Sequence, residues 1–407
     1  MGFPAQLPIV KEFDVRIALR NCPICDHDRV DVLHSQRFVV PDGHPLSDGY
    51  DVVVCIECGF VYADTAVNQA AFDRFYAEYS KYEDRETGTG GMDKGWDRNR
   101  LEETASQIVA FLGDSSARLL DVGCANGGLL KALKNLEYRK TLGIDPSPTC
   151  VENTRSLGIN AEIGSLFQEF SAGKFDCVIL SHTLEHVHDL KQAADWIKSV
   201  LSVGGFVYIE VPDAMRYTDF VDAPFQDFNT EHINHFSRAS LNNFFHMNGF
   251  APLEYGEKII PASADKPYPA IFCFAQLARK FNVIERDENL REKIEQYIEK
   301  SQVILDAIEE RLKSVFSNSK KIIVWGTGQL TMKLLAETSL GQAEIVAFVD
   351  NNPINQGKIL RGVRIVAPEA ILDLEEPILI ASTLHQQSIV QQINTIGIRN
   401  PIVLLKV

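Results

Sequence analysis

Three groups of residues have types and spacings that could do chemistry. Cys22-Pro23-Ile24-Cys25 and Cys55-Ile56-Glu57-Cys58 are two Cys-x-x-Cys knuckles. Two residues between thiolates let both sulfurs face one ion, and two knuckles supply four tetrahedral ligands, the donor set of a structural zinc. Redox exchange is the alternative chemistry for such pairs, but neither pair opens a long helix. Catalytic zinc is disfavoured because four thiolates leave no open position. The second group is Asp121-Val122-Gly123-Cys124-Ala125-Asn126-Gly127, followed by Thr141-Leu142-Gly143-Ile144-Asp145. Glycines in a turn let backbone bend sharply and approach a ligand. An acid at the end of the next strand, as Asp145 would be, can bond both hydroxyls of a ribose. The third group holds histidines with acids nearby: Ser181-His182-Thr183-Leu184-Glu185-His186 and Asn229-Thr230-Glu231-His232-Ile233-Asn234-His235. Such clusters suit general acid–base work, although each histidine could instead be a packed or capping residue.

The elements that must position these groups follow from hydrophobic patterning. Leu119–Asp145 reads as strand, glycine turn, helix and strand. Pro148–Leu157 continues as helix, Ala161–Ile163 as a short strand, and Gly164-Ser165-Leu166 as a turn where an adenine edge could sit. Phe175–Leu180 is a buried strand, and ligands of parallel α/β sheets lie at strand carboxyl ends, where Ser181 and His182 fall. Leu190–Leu201 reads as a helix ended by Gly204-Gly205, and Phe206–Val211 as the next strand. Ser237 reads as the cap of a helix over Ser240–Asn248.

In Phe72–Tyr82, aromatic residues at 72, 75, 76 and 79 fit one helix face. They either pack, or place Tyr76, Tyr79 or Tyr82 over a ligand pocket. Thr87–Gly91 is a loop. Arg279–Phe316 is a long charged helical region that links two units and leaves open pairing with a neighbouring subunit. Trp325-Gly326-Thr327-Gly328-Gln329 begins a second α/β unit, with Asp350 24 residues after Gly326. A lone Gly-x-Gly is weak evidence for a bound dinucleotide.

The Asp-x-Gly-x-x-x-Gly turn departs from the dinucleotide spacing Gly-x-Gly-x-x-Gly. It resembles the S-adenosylmethionine (SAM) loop of class I methyltransferases, which favours SAM over NAD and over a ligand-free turn. The cofactor candidates are Asp121, Gly123, Asn126, Gly127, Asp145, Pro146, Ser165, Leu166 and Ser181. The cysteines resemble a zinc ribbon with a long insert. In this order, a ribbon, a class I SAM domain and a C-terminal Rossmann-like domain resemble the nucleotide-sugar C-methyltransferases, which act on dTDP-4-keto-deoxysugars. The resemblance implies an α/β fold with domains at 1–70 (ribbon), 71–255 (methyltransferase) and 256–407 (helical linker and substrate-binding Rossmann-like domain). It also implies a nucleotide-sugar substrate, His232 as base oriented by Glu231, Tyr76 lining the site, and His182 and His186 beside it. The chain departs from the family where Asn229 replaces the tyrosine of Tyr-x-Glu-His and His182 replaces an asparagine. Oxygen methylation of a sugar or glycan precursor, and a non-catalytic nucleotide- or SAM-binding protein, are the competing readings.

Composition bounds the rest. The 407 residues allow two to four domains, and 45% hydrophobic with 23% charged residues is an ordinary globular balance. A net charge of −15 without a basic run disfavours sequence-independent nucleic-acid binding. No apolar stretch approaches spanning length and Met1–Arg20 is interrupted by acids, so the expected location is cytoplasmic.

Overall fold

The computed structural model describes residues 14–79, 90–92, 94–168, 171–263, 266–279, 283–317 and 321–405. Tyr82 and Thr87–Thr89 therefore lie outside the described residues.

The central sheet has seven strands in the order Ala161–Ile163, Thr141–Asp145, Leu119–Val122, Phe175–Ser181, Leu201–Pro212, Lys266–Leu277, Phe250–Ser263. The first five are parallel, and Lys266–Leu277 pairs antiparallel with both of its neighbours, Leu201–Pro212 and Phe250–Ser263. This is the expected Rossmann-like α/β architecture. The strand order reverses between Leu119–Val122 and Phe175–Ser181, which opens a crevice at their carboxyl ends. The glycine turn and Ser181-His182 both lie there.

Local signals explain the helices that pack on this sheet. Ser147 caps Pro148–Ser156 by accepting from the Cys150 amide, with Pro148 at the first position. Asp189 caps Leu190–Val200. Ser237 and Ser240 form a reciprocal capping box on Arg238–Met247. The glycines at 204 and 205 fall inside the long strand Leu201–Pro212 rather than after a helix end. Gly204 adopts φ +79° there, where the ladder with Phe175–Ser181 shifts register by three residues.

A boundary at 255 would cut the strand Phe250–Ser263, whose hairpin partner Lys266–Leu277 bonds to Leu201–Pro212. The antiparallel hairpin completes the central sheet, so we place the end of this unit after Leu277.

Before it, Val15–Ile17, Arg29–Arg37, Gly49–Cys55 and Val61–Asp64 form an antiparallel sheet. Its fifth strand, Asn234–His235, comes from the segment that carries His232. The helix Leu290–Phe316 leads to a six-stranded sheet ordered Ile359–Leu360, Val363–Val366, Glu344–Val349, Lys321–Trp325, Ile378–Ile380, Ile402–Leu404. One apolar core runs from Phe38, Val52 and Phe72 through Phe228 and Tyr297 to Met332 and Leu379, joining ribbon strands to the C-terminal sheet.

Candidate active site

The four cysteine sulfurs converge. Cys22 Sγ lies 3.5 Å from Cys58 Sγ, and Cys25 Sγ lies 3.5 Å from Cys55 Sγ. Four thiolates about 2.3 Å from a common zinc would stand about 3.8 Å apart, so the cluster fits one tetrahedral ion. Three of the four are buried. A Cβ on Gly59 would meet the Asp287 carbonyl oxygen at 2.3 Å, so only glycine fits beside the second knuckle.

A cavity of about 310 Å³ occupies the crevice of the central sheet. One wall is the glycine turn. Gly123 adopts φ +76°, and a Cβ there would meet Thr183 Oγ1 at 3.0 Å. Asp145 lines the cavity; its Oδ2 accepts from the Ala125 amide and its Oδ1 from the Ser147 amide, both at 2.9 Å. Asp121 lines it as well. Burial, and then the negative charge of Asp145, push its carboxyl up to about 7. Pro146, Ser165, Leu166 and Ser181 also face the cavity, as does Gly90 from the loop before the first long helix.

Two predicted cofactor residues play other parts among the described residues. Asn126 is buried and accepts from Asn153 Nδ2 at 2.8 Å, away from the cavity lining. Gly127 (φ +76°) admits the neighbouring helix: a Cβ would sit 2.7 Å from the Thr154 side chain. Its glycine answers a packing constraint, which spacing alone does not distinguish from ligand contact.

At the other end of the cavity stand Tyr76, Glu185, His186 and His232. His186 lies edge-on to His232, with ring centroids 4.8 Å apart, and Tyr76 packs edge-on against His186 at 5.7 Å. His186 Nδ1 donates to the Glu231 carbonyl at 3.1 Å. Its Nε2 lies 3.9 Å from Glu185 Oε1. One donor atom from each of Glu185, His186 and His232 lies within 4.8 Å of the others. Glu231 is buried and does not belong to the cavity lining; Glu185 supplies the carboxylate that does. Tyr79, by contrast, turns to the ribbon and donates to the Gly43 carbonyl.

His182 lines the cavity, as expected, and is also tied from the sheet side. Its Nδ1 meets Glu185 Oε1 and its Nε2 meets Glu210 Oε1, each at 3.2 Å. Burial alone would lower its pKa, but the flanking carboxylates outweigh it and hold it at about 9. Flanked by both carboxylates, His182 favours its charged form and stands between Glu185 and Glu210. Glu210 also receives Lys258 Nζ and Tyr208 Oη, each at 2.6 Å. A row of alternating charge thus runs Lys258, Glu210, His182, Glu185, buried except at His182, which faces the cavity. Glu210 and Lys258 were missed from sequence. The acid inside the apolar run Phe206–Val211 was the available signal. Asn229 does not reach toward the reacting end: its Oδ1 accepts from the Glu231 and His232 amides, both at 2.8 Å. It shapes the turn that presents His232. His235 is buried, and desolvation drives its pKa down to about 3.

The second Gly-x-Gly turn carries a differently filled acid. Asp350 Oδ2 accepts from the Thr327 amide at 3.0 Å and from Asn355 Nδ2 at 3.1 Å, and it also takes the Thr327 hydroxyl; Oδ1 accepts from the Asn352 amide.

Residues 96–255 match the family described as "Methyltransferase domain", and residues 318–404 match "C2185-like, N-terminal". The C-methyltransferase NovU of Streptomyces niveus is 24% identical over 386 residues, covering 86% of each chain. Among solved structures, magnesium protoporphyrin IX methyltransferase from Synechocystis PCC 6803 with bound SAH aligns at 17% identity. It covers 51% of this chain and 99% of its own, with a TM-score of 0.40. An S-adenosylmethionine-dependent methyltransferase from Mesorhizobium loti aligns at 18% identity over 43% and 99%, with a TM-score of 0.35. Residues 96–255 thus carry a methyltransferase domain, and the chain is a methyltransferase enzyme. Among the described residues, no helix is long and apolar enough to cross a membrane.

Proposed function

We propose that this methyltransferase adds a methyl group to the carbon beside the ketone of a nucleotide-linked keto-deoxysugar. The observation that carries the reading is the paired histidines at one end of the cavity whose other end is the glycine turn. The likeness to NovU over 86% of both chains supports carbon as the acceptor atom.

In this reading Gly123, Asp145, Pro146, Ser165 and Leu166 hold SAM, with Asp145 taking the ribose hydroxyls. SAM, when bound, supplies an electrophilic methyl group to the carbon that proton removal leaves electron-rich. His232 accepts that proton. His186, tied by Nδ1 to the Glu231 carbonyl, holds the His232 ring edge-on and leaves its own Nε2 toward the cluster. The Glu185 carboxylate beside the pair favours imidazolium as the proton arrives. Tyr76 closes the histidine end. The C-terminal sheet holds the nucleotide end of the substrate, and the four thiolates hold one structural zinc.

The test is to incubate the protein with SAM and a panel of keto and non-keto nucleotide sugars, then locate any added methyl. Methylation of carbon in keto sugars alone is expected. Transfer to oxygen on non-keto sugars would contradict the reading. Metal content should be about one zinc per chain, falling in Cys55→Ser. A second equivalent that disappears in His232→Ala would make the Glu185–His186–His232 cluster a metal site instead of a base.

A further inference from the structure

The segment that presents His232 is tied down at almost every residue. Tyr50 Oη donates to the Asn229 carbonyl at 2.8 Å, and the Ile233 amide donates to the Glu185 carbonyl at 2.9 Å. His186 holds the Glu231 carbonyl. Thr230 is held from the first helix of the C-terminal unit. Its amide donates to Gln329 Oε1 at 3.2 Å, and its Oγ1 accepts from Gln329 Nε2 at 2.7 Å.

Gln329 is the first residue of the helix Gln329–Glu337, directly after the turn Gly326-Thr327-Gly328. It does not line the cavity. The same helix makes a second link to the segment. Buried Lys333 donates to Gln36 Oε1 at 2.7 Å, and Gln36 Nε2 donates to the Phe228 carbonyl at 2.7 Å. Thr230 is itself buried, so its amide and hydroxyl would be costly to leave without partners. A primary amide meets both groups at once, one acceptor for the amide and one donor for the hydroxyl.

We infer that Gln329 is a positioning residue for the base: its two-point clasp on Thr230 sets the backbone from which His232 projects two residues later. The inference rests on the reading of His232 as base. It makes the C-terminal unit part of the methyl-transfer apparatus and not only a substrate holder. A misplacement of about 1 Å at a reacting group can cost about 10²-fold in rate, even when the altered residue lies away from the chemistry.

The test uses the full chain, SAM and a nucleotide-linked 4-keto-deoxysugar. Gln329→Leu, which keeps shape and removes both hydrogen bonds, should lower kcat by about 10- to 100-fold while KM for SAM stays unchanged. Gln329→Glu retains an acceptor for the Thr230 amide and can take the Thr230 hydroxyl as donor, so it should recover most of the loss. His232→Ala is measured beside them. Loss of turnover in His232→Ala with full turnover in Gln329→Leu would overturn the clasp alone. Full turnover in His232→Ala would overturn the base reading and the clasp with it. Equal damage by Gln329→Leu and Gln329→Glu would also overturn the clasp.

Discussion

The chain contains two strand–glycine-turn–helix units that end in an acid at similar separations, 22 residues after Gly123 and 24 after Gly326, yet their acids have different surroundings. Asp145 lies 24 residues beyond Asp121 and borders a cavity, bonded by two backbone amides, Ala125 and Ser147. Asp350 lies 24 residues beyond Gly326 and is ringed by neutral donors, two of them the side chains of Thr327 and Asn355. Across the cavity from the first turn stands a row of charge, Lys258 to Glu185; what holds Asp350 is hydroxyl and amide. The comparison teaches that spacing identifies a place where a ribose could be read, while the neighbouring side chains decide whether the acid is offered to a ligand or built into the turn.

The largest effect expected is at the charged unit. His232→Ala should lose about 10²–10⁴-fold in turnover, the usual contribution of a positioned base, while SAM still binds. Next comes the pair of acids themselves. Asp145→Ala should weaken SAM binding by about 1.5–3 kcal/mol, read by calorimetry. Asp350→Ala should leave SAM affinity unchanged and instead lower unfolding stability by about 1–3 kcal/mol, because it strips the partners of buried donors. If Asp350→Ala weakens SAM as much as Asp145→Ala does, the distinction between the two turns fails.

The smallest effect expected is on pH. His182 is held at about 9 by Glu185 and Glu210, above the ordinary value of about 6.5 for histidine. A raised folded pKa gives stability that is fully present below about 6.5 and fades as pH rises through about 9. The stability gap between the wild type and His182→Gln should therefore narrow from pH 6.5 to 9 in denaturant titrations. A gap that widens with pH would mean that His182 is neutral in the folded chain.

Much of this was legible in sequence because it depends on short-range spacing. The two knuckles, the first glycine turn, Asp145 and the Ser237 cap are all local patterns, and the structure brings each group together. What was not legible depends on distant partners. The position of His182 beside the cavity was legible, but Glu210 and Lys258, from strands 28 and 76 residues away, that stand on its far side were not. Gly127 read as a ligand glycine because nothing local reveals Thr154 pressed against it. The hairpin after Phe250 joins the central sheet through antiparallel pairing, a contact that strand patterning does not assign. Gln329 and Thr230 lie 99 residues apart, and no motif links them.

The central claim is that His232 removes a proton from carbon, and solvent exchange tests it most directly. The wild-type protein is incubated in deuterated buffer with a nucleotide-linked 4-keto-deoxysugar and no SAM, and the proton beside the ketone is followed by NMR. The account predicts that this proton is replaced by deuterium in the wild type and retained in His232→Ala. Exchange at equal rates in both proteins would contradict it.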